Sequence, residues 1–101
     1  MKQGTNNIMP VHFGIDLDGV SSIDFIFVQE EKKKYYTYPS DTAIRREGEN
    51  VVELYWTEED TYDFLTGEVQ LDTKIHLTGS EQNPPTEIVK FKMTPTLFEH
   101  D

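Results

Sequence analysis

Apolar and polar residues alternate along most of this chain with a period of two. The clearest run is Val69-Gln70-Leu71-Asp72-Thr73-Lys74-Ile75-His76-Leu77, with apolar or small side chains on one face and polar ones on the other. That is the pattern of a strand with one face in water. Ile23, Phe25 and Phe27 make a second such face, but the intervening Asp24, Ile26 and Val28 are mixed, which predicts a more central strand covered on part of its other side. Val52, Leu54 and Trp56 share a third face. Val89, Phe91 and Met93 share another, with Lys90 and Lys92 outward. Val11, Phe13 and Ile15 alternate with His12 and Gly14, and Tyr35-Tyr36-Thr37-Tyr38 is rich in strand-forming residues. A short piece over Ala43-Ile44-Arg45-Arg46 predicts an edge strand whose arginines discourage pairing with another molecule.

Turn clusters separate these segments: Asp18-Gly19, Glu30 to Lys34, Pro39-Ser40-Asp41, Glu47-Gly48-Glu49-Asn50, and Gly79 to Pro85. About seven short strands with such punctuation predict an all-β, immunoglobulin-like antiparallel β-sandwich over residues 1–101, a single domain. Its expected core includes Phe25, Phe27, Leu54, Trp56, Leu71, Ile75 and Phe91. Leu17 and Val20 are expected to plug it beside the Asp18-Gly19 turn.

One segment departs from the alternation. Thr57-Glu58-Glu59-Asp60 places a capping hydroxyl three residues ahead of a carboxylate, with acidic side chains where the first free N–H groups of a helix point. The spacing predicts one or two helical turns over 58–65, with Gly67 where the helix stops. Trp56 then faces Thr61 instead of an apolar staple, and Tyr62, Phe64 and Leu65 are expected to anchor the turn on the core.

Composition narrows the function. With 19 Asp and Glu against 9 Lys and Arg, the formal charge of −10 opposes contact with nucleic-acid phosphates or anionic membranes. The absence of cysteine excludes disulfides and thiolate sites. The first residues lack the apolar stretch of a secretory signal, and the longest apolar run, Phe25-Ile26-Phe27-Val28, is far too short to span a bilayer.

Asp16-Leu17-Asp18-Gly19-Val20 resembles the nucleophile loop of haloacid-dehalogenase-type phosphatases, but those enzymes need a parallel sheet with helical crossovers for which this chain has no room. The residues read instead as a turn. Glu58, Glu59, Asp60 and Asp63 lack the spacing of a calcium loop, and His12, His76 and His100 are scattered. No catalytic, cofactor or metal residues are predicted, and the chain is read as a non-enzyme. Trp56 could stack on a sugar, but its phase places it in the core. Tyr35 and Tyr36 point to opposite faces of any strand, so either Tyr35 or the pair Tyr36 and Tyr38 is exposed, and these three are the candidate partner surface. Thr57, Asp60, Gly67 and Trp56 are read as structural.

The order of several segments carries a resemblance. Gln3-Gly4-Thr5 leads into a strand; Leu17-Asp18-Gly19-Val20 precedes Ile23-Asp24-Phe25-Ile26-Phe27; Tyr55-Trp56-Thr57-Glu58-Glu59-Asp60-Thr61 is followed by Phe64 and Gly67; then come Val69 to Leu77 and Thr94-Pro95-Thr96-Leu97. This arrangement resembles small phage and prophage structural proteins of Firmicutes and is similar to the immunoglobulin-like N-terminal domain of phage baseplate upper proteins. Two places depart from it, the charged Glu30-Glu31-Lys32-Lys33-Lys34 tip and the stiff Asn83-Pro84-Pro85. The resemblance implies a virion or assembly role in tail, neck or baseplate, with other phage structural proteins as partners and a place in the virion or, during assembly, in the bacterial host cytoplasm. It supplies no catalytic residues. The alternative is a stand-alone carbohydrate- or protein-binding sandwich of adhesin type. In either case the charge predicts a monomer or weak homo-oligomer in isolation, and the open strand edges of a sandwich are expected to offer themselves to a partner.

Overall fold

Two antiparallel sheets face each other in a computed structural model that describes residues 1–79, 86 and 88–94. Seven strands and one short helix follow in chain order: β1 (Asn7–His12), β2 (Val20–Gln29), β3 (Lys32–Tyr38), β4 (Ile44–Arg46), β5 (Val51–Trp56), α1 (Glu58–Tyr62), β6 (Gly67–Leu77) and β7 (Val89–Met93). One sheet has the order β1-β5-β4 and the other β3-β2-β6-β7. The fold is thus the expected β-sandwich. In a constant-type immunoglobulin domain the second strand lies between the first and fifth. Here β2 lies between β3 and β6, so the likeness lies in the two-sheet architecture and strand number, while the strand order is this chain's own.

The period-two pattern explains the core. Ile23, Phe25 and Phe27 of β2 are fully buried, as are Val52, Leu54 and Trp56 of β5 and Val69, Leu71 and Ile75 of β6. Phe27 stands edge-on to Trp56 at 4.8 Å between ring centroids, bridging the two sheets. Six of the seven anticipated core residues are buried. Phe91 is only half-buried, packed against the cluster near the end of β7, itself an outer strand of the larger sheet. Leu17 is buried and Val20 packs against the core, so the Asp16–Gly19 segment does plug the sandwich. The first strand begins earlier than its alternation suggested, because Asn7–His12 pairs with β5 while Phe13 and Ile15 lie beyond it. The expected turn over Glu30 to Lys34 is tighter than predicted. Its lysines belong to β3, and Glu30 turns the chain with φ +53°.

Thr57 caps α1 as anticipated: its hydroxyl accepts the Asp60 N–H at 3.2 Å, while the Asp60 carboxylate accepts the Thr57 N–H at 2.9 Å. The helix ends at Tyr62, short of the predicted 65, and Asp63 caps it. Gly67 opens β6 at φ +125° and does not terminate the helix. Thr61 and Phe64 are buried, but Leu65 is 69% exposed and anchors nothing. The reason is polar. The Thr61 hydroxyl is within 3.0 Å of both the N–H and the carbonyl of Thr5, so a threonine, and not an apolar side chain, fixes the helix to the N-terminal segment.

Of the anticipated turn cluster Gly79 to Pro85, all but Gly79 lies outside the described residues, as do His100, the Asn83-Pro84-Pro85 segment and the Pro95-Thr96-Leu97 part of the final motif.

Candidate partner-contact surface

The alternation of β3 decides which tyrosine meets solvent. Lys33, Tyr35 and Thr37 share one phase and Lys34, Tyr36 and Tyr38 the other. Tyr36 turns inward, edge-on to Phe27 at 5.9 Å and tilted against Trp56 at 6.5 Å, and Tyr38 also packs on the core. Burial raises the Tyr36 hydroxyl above its ordinary pKa, against the opposing pull of the nearby Lys34 ammonium. Tyr35 is 67% exposed, the lone exposed aromatic side chain among the described residues. Of the three candidate tyrosines the structure therefore leaves one on the outside. Trp56 is 3% exposed and cannot serve as a sugar platform.

Tyr35 pairs across the sheet with Ile26 of β2, and Ile26 pairs onward with Asp72 of β6. Val28 lies two residues along β2 on the same outer face and shares a surface depression with Leu65. Leu65 is held in place by Gln29, whose buried amide donates to the Leu65 carbonyl at 2.5 Å and accepts the Leu65 N–H at 2.7 Å. A side-chain amide thus imitates a neighbouring strand and fixes the backbone while the leucine side chain projects into water. Tyr35 of β3 with Ile26 and Val28 of β2 make a short apolar stripe on the larger sheet's outer face, with Leu65 beside Val28, bounded on β6 by Asp72 and Gln70. At the Tyr35 end, Asp24 closes the stripe, accepting the Thr37 hydroxyl at 3.2 Å and lying 2.9 Å from His76 Nε2. Sequence reasoning missed Gln29 and Leu65 because their pairing joins segments far apart in the chain.

Lys34 is the ionic tie of this region. Its ammonium lies 2.7 Å from Asp60 and 2.6 Å from Asp63, fastening β3 to α1. Burial opposes its charge, but the two carboxylates prevail and raise its pKa. Burial likewise works against the Asp60 carboxylate, yet Lys34 and the Thr57 hydrogen bonds hold it below the usual carboxylate range. Asp60, predicted to be structural, is therefore engaged with both Thr57 and Lys34.

The strand edges are less open than expected. Pro10 interrupts β1, a position tolerated only where no neighbouring strand must pair. The three-residue β4 carries Arg45 and Arg46. At the end of β7, Gln3 N–H donates to the Thr94 carbonyl and Thr94 N–H to that of Met1. On β3, the Thr37 N–H donates to the Asp41 carboxylate at 2.6 Å and the Asp41 N–H to the Thr37 carbonyl at 2.8 Å. What remains open on β3 is the lysine-bearing stretch up to Tyr35, a composition that discourages strand addition. The candidate for a partner contact is therefore a sheet face more than a sheet edge.

Asp16, Leu17, Asp18 and Gly19 fold as a 3-10 turn, with the Asp16 carboxylate accepting the Asp18 N–H at 2.8 Å and Arg46 pairing with Asp18 at 2.7 Å. The phosphatase-like motif is thus a capped turn. Among the described residues no cluster of His, Asp and Glu could hold a metal ion, and no helix is long and apolar enough to cross a membrane. No family model, curated protein or solved structure matches this chain.

Proposed function

We propose that this domain is a non-enzymatic assembly module of a phage or prophage particle, in its tail, neck or baseplate, working through protein–protein contacts. The observation that carries the contact reading is the exposed Tyr35 on the four-stranded sheet, flanked by Ile26 and Val28, with the clamped Leu65 beside Val28. Aromatic residues with apolar neighbours on a rigid support are what protein interfaces select. The particle setting comes from the order of the segments that resemble phage structural proteins. Synthesis in the host cytoplasm and residence in the virion follow from that setting. A carbohydrate-binding adhesin is the weaker reading, since Trp56 is buried and Tyr35 stands alone as an exposed aromatic among the described residues.

The test is quantitative mass spectrometry of purified particles from an induced host carrying this sequence. The reading expects peptides of this chain in a fixed ratio to the tail proteins. Their absence from particles and from assembly intermediates would overturn it.

A further inference from the structure

We propose that the Asp18–Gly19 bond is a site of spontaneous isomerisation to isoaspartate, that this modification loosens the fold, and that Arg46 sets its rate. The inference concerns the chain's own chemistry and stands apart from the assembly reading.

Three observations carry it. Asp18 is the one Asp or Asn in the chain that a glycine follows. With no side chain on Gly19, its backbone nitrogen is open to the neighbouring carboxyl group, and a Cβ built at Gly19 would meet nothing within 4 Å. The turn therefore leaves room for a ring to close. Second, the Asp18 side chain is 77% exposed, and its carboxylate is tied to Arg46 at 2.7 Å. A pair this exposed is worth little, so the tie opens readily. Third, the turn is fastened on both sides. Leu17, buried in the core, donates its N–H to the Glu49 carbonyl at 2.7 Å, and the Gly19 carbonyl accepts the Thr78 N–H at 3.0 Å.

In the reaction the Gly19 nitrogen attacks Cγ of the neutral Asp18 carboxyl group. The N–Cγ bond forms as the Cγ–OH bond breaks, and the hydroxyl leaves with the amide proton as water. Water then opens the resulting succinimide. Attack at Cγ restores aspartate, whereas attack at the original main-chain carbonyl leaves the chain running through the Asp18 side chain, as isoaspartate. One water leaves and one returns, so the mass is unchanged and no co-reactant besides water is needed. Arg46 opposes the first step by holding a carboxylate oxygen in place, a contact that ring closure must release. The product carries an extra methylene in the main chain between Leu17 and Gly19. The Glu49 and Thr78 hydrogen bonds then fall out of register with a buried Leu17, and a close-packed core absorbs little of that displacement.

The experiment uses the whole folded chain, incubated in warm neutral buffer made with heavy-oxygen water and mapped by mass spectrometry of its peptides. Each opening of the imide inserts one heavy oxygen, and fragment ions assign it to a residue. Label should accumulate at Asp18 together with isoaspartate. Arg46→Gln should speed this several-fold. Gly19→Ala, which the open space around Gly19 tolerates, should slow it several-fold. Circular dichroism melts establish that both variants are folded, and the modified fraction, separated by chromatography, should unfold at lower urea than fresh protein. Three results overturn the proposal: a folded chain without label at Asp18 while the urea-unfolded chain acquires it, an Arg46→Gln rate equal to the parent's, or a modified fraction as stable as the fresh protein.

Discussion

Gly4 holds φ at +74°, and a Cβ built there would stand 2.5 Å from the Tyr62 ring. The left-handed backbone strains any side chain there and the Tyr62 ring would have to shift, so Gly4→Ala should cost about 1–3 kcal/mol by equilibrium unfolding. A loss under 0.5 kcal/mol, on the order of ordinary surface substitutions, would mean that the N-terminal segment moves aside without penalty. Thr57→Ala removes a cap hydroxyl and should lose about 1 kcal/mol. Trp56 behaves differently. Its Nε1 is buried without an acceptor among the described residues, surrounded by the rings of Phe27, Tyr36, Phe64 and Phe91. Trp56→Phe therefore gives up packing but no hydrogen bond, and should cost about 1–2 kcal/mol, well below the ~3–5 kcal/mol of a truncation to Ala. Equal losses for the two variants would show that the smaller ring finds no packing in the site. The Thr57–Asp60 cap was legible because both residues lie within one helical turn. Gln29 and Lys34 were not, since their partners lie 36 and 26 or 29 residues away and local spacing carries no trace of them.

At the scale of elements, β6 shows what alternation can and cannot reveal. Its phase put Leu71 and Ile75 inside, and both are buried; Leu71→Ala should cost roughly 2–5 kcal/mol. Alternation does not record which strand lies beside which, because side-chain phase is the same for any neighbour. The insertion of β2 between β3 and β6 was accordingly hidden. The helix is a case where a correct local signal was carried too far: the cap fixed its start, but Gly67 was read as its end when it serves the opening of β6. The link between α1 and β3 makes a pH prediction. Asp60 titrates lower in the folded chain than in the unfolded one, so its contribution is complete above the unfolded value of about 3.9 and is lost as pH falls through the folded value. Lys34 is shifted the other way, so its contribution is present below about 10.4 and fades only above that range. Asp60→Asn should thus flatten the loss of unfolding free energy below about pH 4. Urea titrations of both proteins across that range would show it, and parallel curves would mean that the pair adds nothing to stability.

For the molecule as a whole, the formal charge of −10 acts on folding as well as on association. Folding draws a chain of this length from a radius of gyration of about 30 Å to about 13 Å, which crowds its carboxylates. Screening that repulsion favours the folded state, whereas screening the Lys34–Asp60, Lys34–Asp63 and Arg46–Asp18 pairs opposes it. The pairs are few and partly exposed, and such pairs are worth little individually. The excess of carboxylates is spread over the chain, so the repulsive sum prevails. Raising sodium chloride from about 0.02 to about 0.5 M should therefore raise the thermal midpoint by a few degrees. Differential scanning calorimetry at low protein concentration isolates this effect from dimerisation, because a midpoint independent of protein concentration belongs to the monomer. Sodium sulfate is unsuitable as the test salt, since its exclusion from protein surface strengthens apolar burial irrespective of charge. A midpoint that falls with sodium chloride would show the local pairs outweighing the net charge.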